Sequence, residues 1–148
     1  VLPEYQEHPY EADLQNALKG IGVKILDFNT RTKSGVTNVH VTLVGEKGLG
    51  VDLIAKAHKL LLPRLEILME NQDITMEVSS PGINRNFKTR KDFEVFQDKT
   101  IRLYSLKNSD WISGINRGIQ GNTVLLETDK NVTEAFALSD IQKAKLES

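Results

Sequence analysis

The chain has 148 residues, 19 Lys and Arg against 20 Asp and Glu, and no cysteine. That length suits one domain of ordinary size or two small ones, and 39% hydrophobic with 26% charged residues is the composition of a folded soluble protein. The absence of cysteine excludes disulfides, iron–sulfur sites, thiol nucleophiles and thiolate zinc sites. No apolar run approaches the roughly 18 residues that a membrane-spanning helix needs. Residues 1–10 carry Pro, Glu and His without the apolar stretch of a secretory signal, so no leader is expected there.

In chain order, Leu14, Ala17, Leu18 and Ile21 recur at helical spacing and predict a helix over Glu11–Gly20, stopped by Gly20 and Gly22. Val23–Thr30 alternates as a strand, with Val23, Ile25 and Asp27 on one face and Lys24, Leu26 and Phe28 on the other. Thr32–Gly35 reads as a turn. Val36–Val44 reads as a second strand with Val39, Val41 and Leu43 inward, so the two strands form a hairpin. Val51–Leu62 is a helix pattern with Leu53, Ile54, Ala57, Leu60 and Leu61 as its stripe. Pro63 is expected to open a separate short helix reaching Met69, because proline suits a first helical position better than an interior one. Asn71–Asp73 breaks that segment, and Ile74–Ser79 is a third strand with Ile74, Met76 and Val78 on one face. This half reads α-β-β-α-β, two helices covering one side of a small sheet.

Ser80-Pro81-Gly82-Ile83 fits a type II turn, with glycine at the position that demands positive φ. Thr89 can cap a short helix over Arg90–Phe96, Asp92 serving as an acidic capping-box partner and Phe93 and Phe96 as the buried face. Five short strands follow: Thr100–Leu106, Trp111–Gly118, Thr123–Glu127, Thr133–Leu138 and Ile141–Leu146. Their turns fall at Lys107–Asp110, Gln120–Asn122 and Thr128–Asn131, with a 3₁₀-like step at Ser139-Asp140. This spacing predicts a small all-β barrel. The fold class is therefore α+β, with an N-terminal α/β domain over 1–82 and a barrel domain over 83–148.

The catalytic inventory is poor. His8, His40 and His58 fall in different elements without metal-site spacing and read as structural or surface residues. Gly45, Gly48 and Gly50 form no phosphate-cradling motif, Glu66 and Glu70 read as solvated carboxylates, and no Ser-His-Asp arrangement is present. No enzyme activity, no metal and no cofactor are expected.

Charge is uneven. Residues 1–80 hold eight basic and eleven acidic residues, whereas residues 81–148 hold eleven basic and nine acidic. Within Asn84–Lys91 four of eight residues are basic, namely Arg85, Lys88, Arg90 and Lys91, and none is acidic. Screening confines each charge to about 8–10 Å, so such a cluster can hold phosphate on a protein of nearly neutral net charge. The same run also suits a plain solvated loop. Arg90 and Lys91 in the first turn of a helix oppose its dipole, which favours a binding role. Trp111 and Tyr104 fall where a barrel core would use them, so no base-stacking platform is expected. The cluster reads as phosphate positioning without sequence readout.

The run Met76–Arg85 containing Ser79-Ser80-Pro81-Gly82, then Lys88-Thr89, Asp92-Phe93 and Phe96, resembles the signature of the bacterial ribosome maturation factor RimP family. The Gly50-Val51-Asp52 helix entry, the Thr123–Thr128 strand and the Ile141–Leu146 end extend the resemblance over nearly the whole chain. Asn84 stands where that family often has an acidic residue, and Asn86 where it often has Pro or an aliphatic one. The helix from Val51 also lacks a basic residue after Asp52. The resemblance implies a K-homology-like N-terminal domain and an SH3-like (Sm-like) barrel. It implies a cytoplasmic, non-enzymatic protein that binds the small (30S) ribosomal subunit during assembly, touching ribosomal RNA and ribosomal protein twelve of the small subunit. A monomer without membrane association is expected. The site residues it points to are Ser79, Ser80, Pro81, Gly82, Asn84, Arg85, Lys88, Arg90 and Lys91, with the turn setting the angle between the domains and the cations holding phosphates. Four neutralised phosphates would give log affinity a slope of about −3 against log salt. The competing readings are a general RNA-binding module and a protein–protein adaptor.

Overall fold

The computed structural model describes residues 2–70, 73–129 and 131–147. Asn71 and Gln72, in the expected break, and Lys130, in an expected turn, lie outside these. The chain divides into two compact units, one spanning Glu7–Pro81 and one running from Gly82 onward together with the leading residues up to Gln6. Each is described separately.

The first unit contains α1 (Glu11–Ala17), β1 (Val23–Lys33), β2 (Val36–Gly45), α2 (Val51–Leu68) and β3 (Asp73–Ser79). Its sheet has the order β1-β2-β3. The first pair is an antiparallel hairpin and the second pair is parallel, with α2 as the crossover. A bulge in β1 between Ile25 and Asp27 resets the alternation. Phe28 therefore joins Val23 and Ile25 in the core, where the uninterrupted alternation placed Asp27. Leu14 from α1 and Leu18 just after it, Val39, Val41 and Leu43 from β2, and Ala57, Leu61 and Leu65 along α2 with Met69 just past its end complete that core.

Two features of α2 differ from expectation. Pro63 does not start a new helix but lies inside one continuous helix. It is exposed, and so is Lys59, whose carbonyl loses its amide donor; on the solvent side water can replace the missing bond. Leu60 is 38% exposed, because the buried residues Ala57, Leu61 and Leu65 follow an i, i+4 row that leaves it to one side.

The second unit contains α3 (Lys91–Val95), β4 (Thr100–Ser105), β5 (Asp110–Gln120), β6 (Thr123–Asp129), β7 (Val132–Ala137), a 3₁₀ turn (Leu138–Asp140) and β8 (Ile141–Leu146). The five strands form one antiparallel sheet in the order β7-β6-β5-β4-β8. Its inner face is built from Ile101, Leu103, Val124, Leu126, Phe136, Leu138, Ile141 and Ala144. Phe87 stands edge-on to Phe93 at 5.0 Å and stacks with Phe96 at 5.6 Å. Asn116 is fully buried. Its side-chain amide donates to the carbonyls of Phe93 and Phe96 at 2.9 and 3.0 Å, and its Oδ1 accepts from the Gly118 amide at 2.9 Å. This one side chain thus terminates α3 and fastens it to β5. The leading residues stand with this unit: the Pro3 carbonyl accepts from the Arg90 amide at 2.9 Å, and Leu2 is buried.

Candidate nucleic-acid interface

The segment from Ser79 to Lys91 carries every residue that the sequence assigned to binding. Ser79 ends β3, and its Oγ lies 2.8 Å from His40 Nε2. Ser80 and Gly82 are exposed and Pro81 is partly so. The type II turn is not formed: Gly82 lies outside the positive-φ region. The turn instead spans Gly82–Arg85, the Arg85 amide donating to the Gly82 carbonyl at 3.2 Å. A Cβ on Gly82 would meet nothing within 4 Å. Neither backbone conformation nor crowding within the chain therefore requires glycine there.

The four cations do not form one open patch. Arg85 is only 9% exposed. Its Nε donates to Asp92 Oδ1 at 2.6 Å, and Asp92 is 1% exposed. The second Asp92 oxygen accepts the backbone amides of Lys88 and Thr89 at 3.0 and 3.2 Å. A carboxylate so deeply buried needs a cation and several donors to remain charged. Arg85 supplies the cation, so its charge is neutralised inside the unit rather than offered to phosphate. The expected capping box is only half made. The helix α3 begins at Lys91 with Arg90 at its cap and no side-chain cap bond. Thr89 Oγ1 accepts from the Lys91 amide at 3.3 Å rather than from that of Asp92, and only the return bond from the Thr89 amide to the Asp92 carboxylate is present.

Arg90 is half-buried, 3.5 Å from Glu4 and 3.2 Å from Asn122 Oδ1. Lys91 Nζ stands 3.9 Å above the Tyr5 ring, a cation–π contact. Lys88 and Asn84 are exposed, and Ile83, inside the turn, is 76% exposed. The segment is held in place by β8: the Phe87 amide donates to Ala144 and the Leu146 amide to the Arg85 carbonyl, at 2.8 and 2.9 Å. It therefore presents Gly82, Ile83, Asn84 and Lys88 outward on a rigid backing.

A second surface was not anticipated. Trp111 and Tyr104 are not in the core. Ile101, Leu103 and Ser105 point inward, so Arg102 and Tyr104 face out. Register places Trp111 and Lys143 beside Tyr104, and Lys145 beside Arg102. Trp111 and Tyr104 meet edge-on at 5.6 Å. The Arg102 guanidinium and Lys145 Nζ approach the Trp111 ring at 4.8 and 5.6 Å. The signal for this lay in the alternation of β4 itself.

Among the described residues no group of three or more His, Asp and Glu side chains could hold a metal ion, and no helix is long and apolar enough to cross a membrane. His58 Nε2 lies 3.3 Å from the Met76 carbonyl. His8 Nδ1 accepts from the Tyr10 amide at 3.1 Å. Arg117 ties Asp98 to Glu127 at 2.8 Å each, and hydrogen bonds to Asp98 and then to Glu127 raise its pKa.

Comparison with known proteins bears on the same segment. The family model of the RimP N-terminal domain matches residues 14–84. The ribosome maturation factor RimP of Borrelia hermsii is 30% identical over 133 residues, covering 90% of each chain. The chain belongs to the RimP family. RimP proteins of Borreliella afzelii and Borrelia turicatae are 30% and 28% identical, again covering 90% of each chain. The similarity to these RimP proteins extends well past residue 84, over both compact units.

Proposed function

We propose that this chain is a cytoplasmic ribosome maturation factor that binds the small (30S) ribosomal subunit during assembly. The observation that carries the reading is the similarity to ribosome maturation factors over 90% of the chain. The signature segment supports it. Gly82 has open space where a side chain would stand, which admits a partner's backbone, and the exposed Ile83, Asn84 and Lys88 flank it. Ser79, Ser80 and Pro81 lead into that segment. Lys88 carries the direct phosphate contact, with Lys91 and Arg90 at its margin. Arg85 acts indirectly, by fixing the loop through Asp92. Ribosomal protein twelve of the small subunit is the proposed protein partner of the barrel. The factor acts as a monomer through differential affinity: it binds the immature subunit, favours one arrangement, and leaves when the mature site no longer accepts it.

Co-sedimentation with isolated small and large subunits tests the reading. Binding to the small subunit alone is expected, weakened in Lys88→Ala. Equal binding to both subunits, or to neither, overturns it in favour of an RNA-binding module or an adaptor.

A further inference from the structure

The outward face of β8, β4 and β5 has no role in the reading above. Trp111 lies on β5, partly exposed, with Tyr104 edge-on beside it on β4, the middle one of these strands. Arg102 and Lys145 stand against the indole ring, and Lys143 lies opposite Tyr104 on the next strand. The acid facing this group is Glu147, 4.0 Å from Arg102 Nε. Arg102 Nε itself is buried without a hydrogen-bond partner. Among the described residues, three cations against Glu147 and, at the edge, Asp110 beside Trp111 leave the face positive. The neighbouring strand β6 carries Glu127 and Asp129 instead, so the positive area ends at β5.

Two flat rings and three cations therefore share one face of three adjacent strands, in the rows Lys143–Tyr104–Trp111 and Lys145–Arg102, with strands spaced about 4.8 Å apart. An acidic peptide would satisfy the cations but has no use for the rings. A single-stranded nucleic acid offers both complements: bases that stack on indole and guanidinium planes, and phosphates that meet ammonium groups. We infer that this face is a single-stranded RNA-binding site, with Trp111 as the stacking platform, Tyr104 buttressing it, and Arg102, Lys143 and Lys145 engaging the backbone. The inference deepens the ribosomal reading, on which it rests for the RNA being ribosomal.

Trp111 is the single tryptophan of the chain, so intrinsic fluorescence reports on the site directly. The full-length protein is titrated with a short single-stranded oligoadenylate, with the same sequence as a duplex, and with a polyglutamate peptide. Quenching by the single strand is expected, with log affinity falling against log salt at a slope of about −2 for three cations on a single strand. Trp111→Leu, followed by filter binding, should weaken the affinity roughly tenfold or more, whereas Trp111→Phe should largely retain it. Arg102→Gln with Lys145→Gln should flatten the salt dependence and leave the fold, read by circular dichroism, unchanged. Quenching by the duplex or the peptide in preference to the single strand overturns the inference, as does wild-type affinity in folded Trp111→Leu. Co-sedimentation separates the two readings. RNA quenching without subunit binding keeps this site and discards the ribosomal role. Subunit binding by Trp111→Leu at wild-type strength, without quenching of the native protein, does the reverse.

Discussion

Arg85 and Asp92 form a buried ion pair, 2.6 Å between Nε and Oδ1, and the pair closes the loop that carries the family signature. Both ends of that loop depend on the same carboxylate, because Asp92 also holds the amides of Lys88 and Thr89. Removing one partner leaves a charge stranded away from water, which typically costs about 3–5 kcal/mol. Asp92→Ala and Arg85→Ala should each lower stability by that order in urea unfolding. The double variant should cost less than the sum, since neither charge is then left alone.

Lys88 makes the opposite prediction. It is exposed, so Lys88→Gln should leave the unfolding midpoint unchanged within about 0.5 kcal/mol. Its effect should show instead in subunit binding measured against salt, where losing one phosphate contact reduces the slope by about 1.

Asn116 should behave as a core residue despite its polarity. Asn116→Ala strands the carbonyls of Phe93 and Phe96 and the Gly118 amide, which its side chain satisfies at 2.9–3.0 Å. Each buried unsatisfied group costs roughly 1–3 kcal/mol. A loss of at least about 2 kcal/mol is expected, with early loss of amide-exchange protection across α3. Asn116→Asp should be no better, since it replaces a donor with a charge.

Acid should weaken the second unit through Asp140. Its carboxylate accepts from Ser105 Oγ at 2.6 Å and from the Lys107 amide at 2.7 Å. These two bonds, Ser105 first, lower its pKa below the usual carboxylate value. A group with a depressed folded pKa adds stability that is present above its unfolded pKa and lost as pH falls through the folded one. The native protein should therefore lose stability on acidification below about pH 4. Asp140→Asn should show a smaller acid-dependent loss, read by thermal melts across that range.

Most of the element order was legible because hydrophobic alternation is a local property. Val39, Val41 and Leu43, or Ile101 and Leu103, declare their inward face without knowledge of the rest. Three departures needed information that is not local. The bulge in β1 swaps Asp27 for Phe28, and a bulge depends on its partner strand. Pro63 is tolerated inside α2 because that side faces solvent. The basic run at 85–91 looks like one patch because its partners come from elsewhere: the carboxylate of Asp92 follows it, while the carboxylate of Glu4, the ring of Tyr5 and the amide of Asn122 are remote in sequence. Trp111 and Tyr104 were misplaced for another reason. Residue type alone points aromatic side chains to the core, whereas the phase of Ile101 and Leu103 turns Tyr104 outward.

The second unit is also discontinuous along the chain. Glu4 and Arg90 are 86 residues apart, yet they meet in it. During synthesis the residues up to Gln6 emerge before the first unit and wait for partners that appear only after the whole of that unit has been made. The first unit can fold while the nascent chain is still growing. The second cannot be complete until β8 has been made, since the signature loop rests on that strand. Translation order thus withholds the segment proposed to bind the ribosome until β8 has been made.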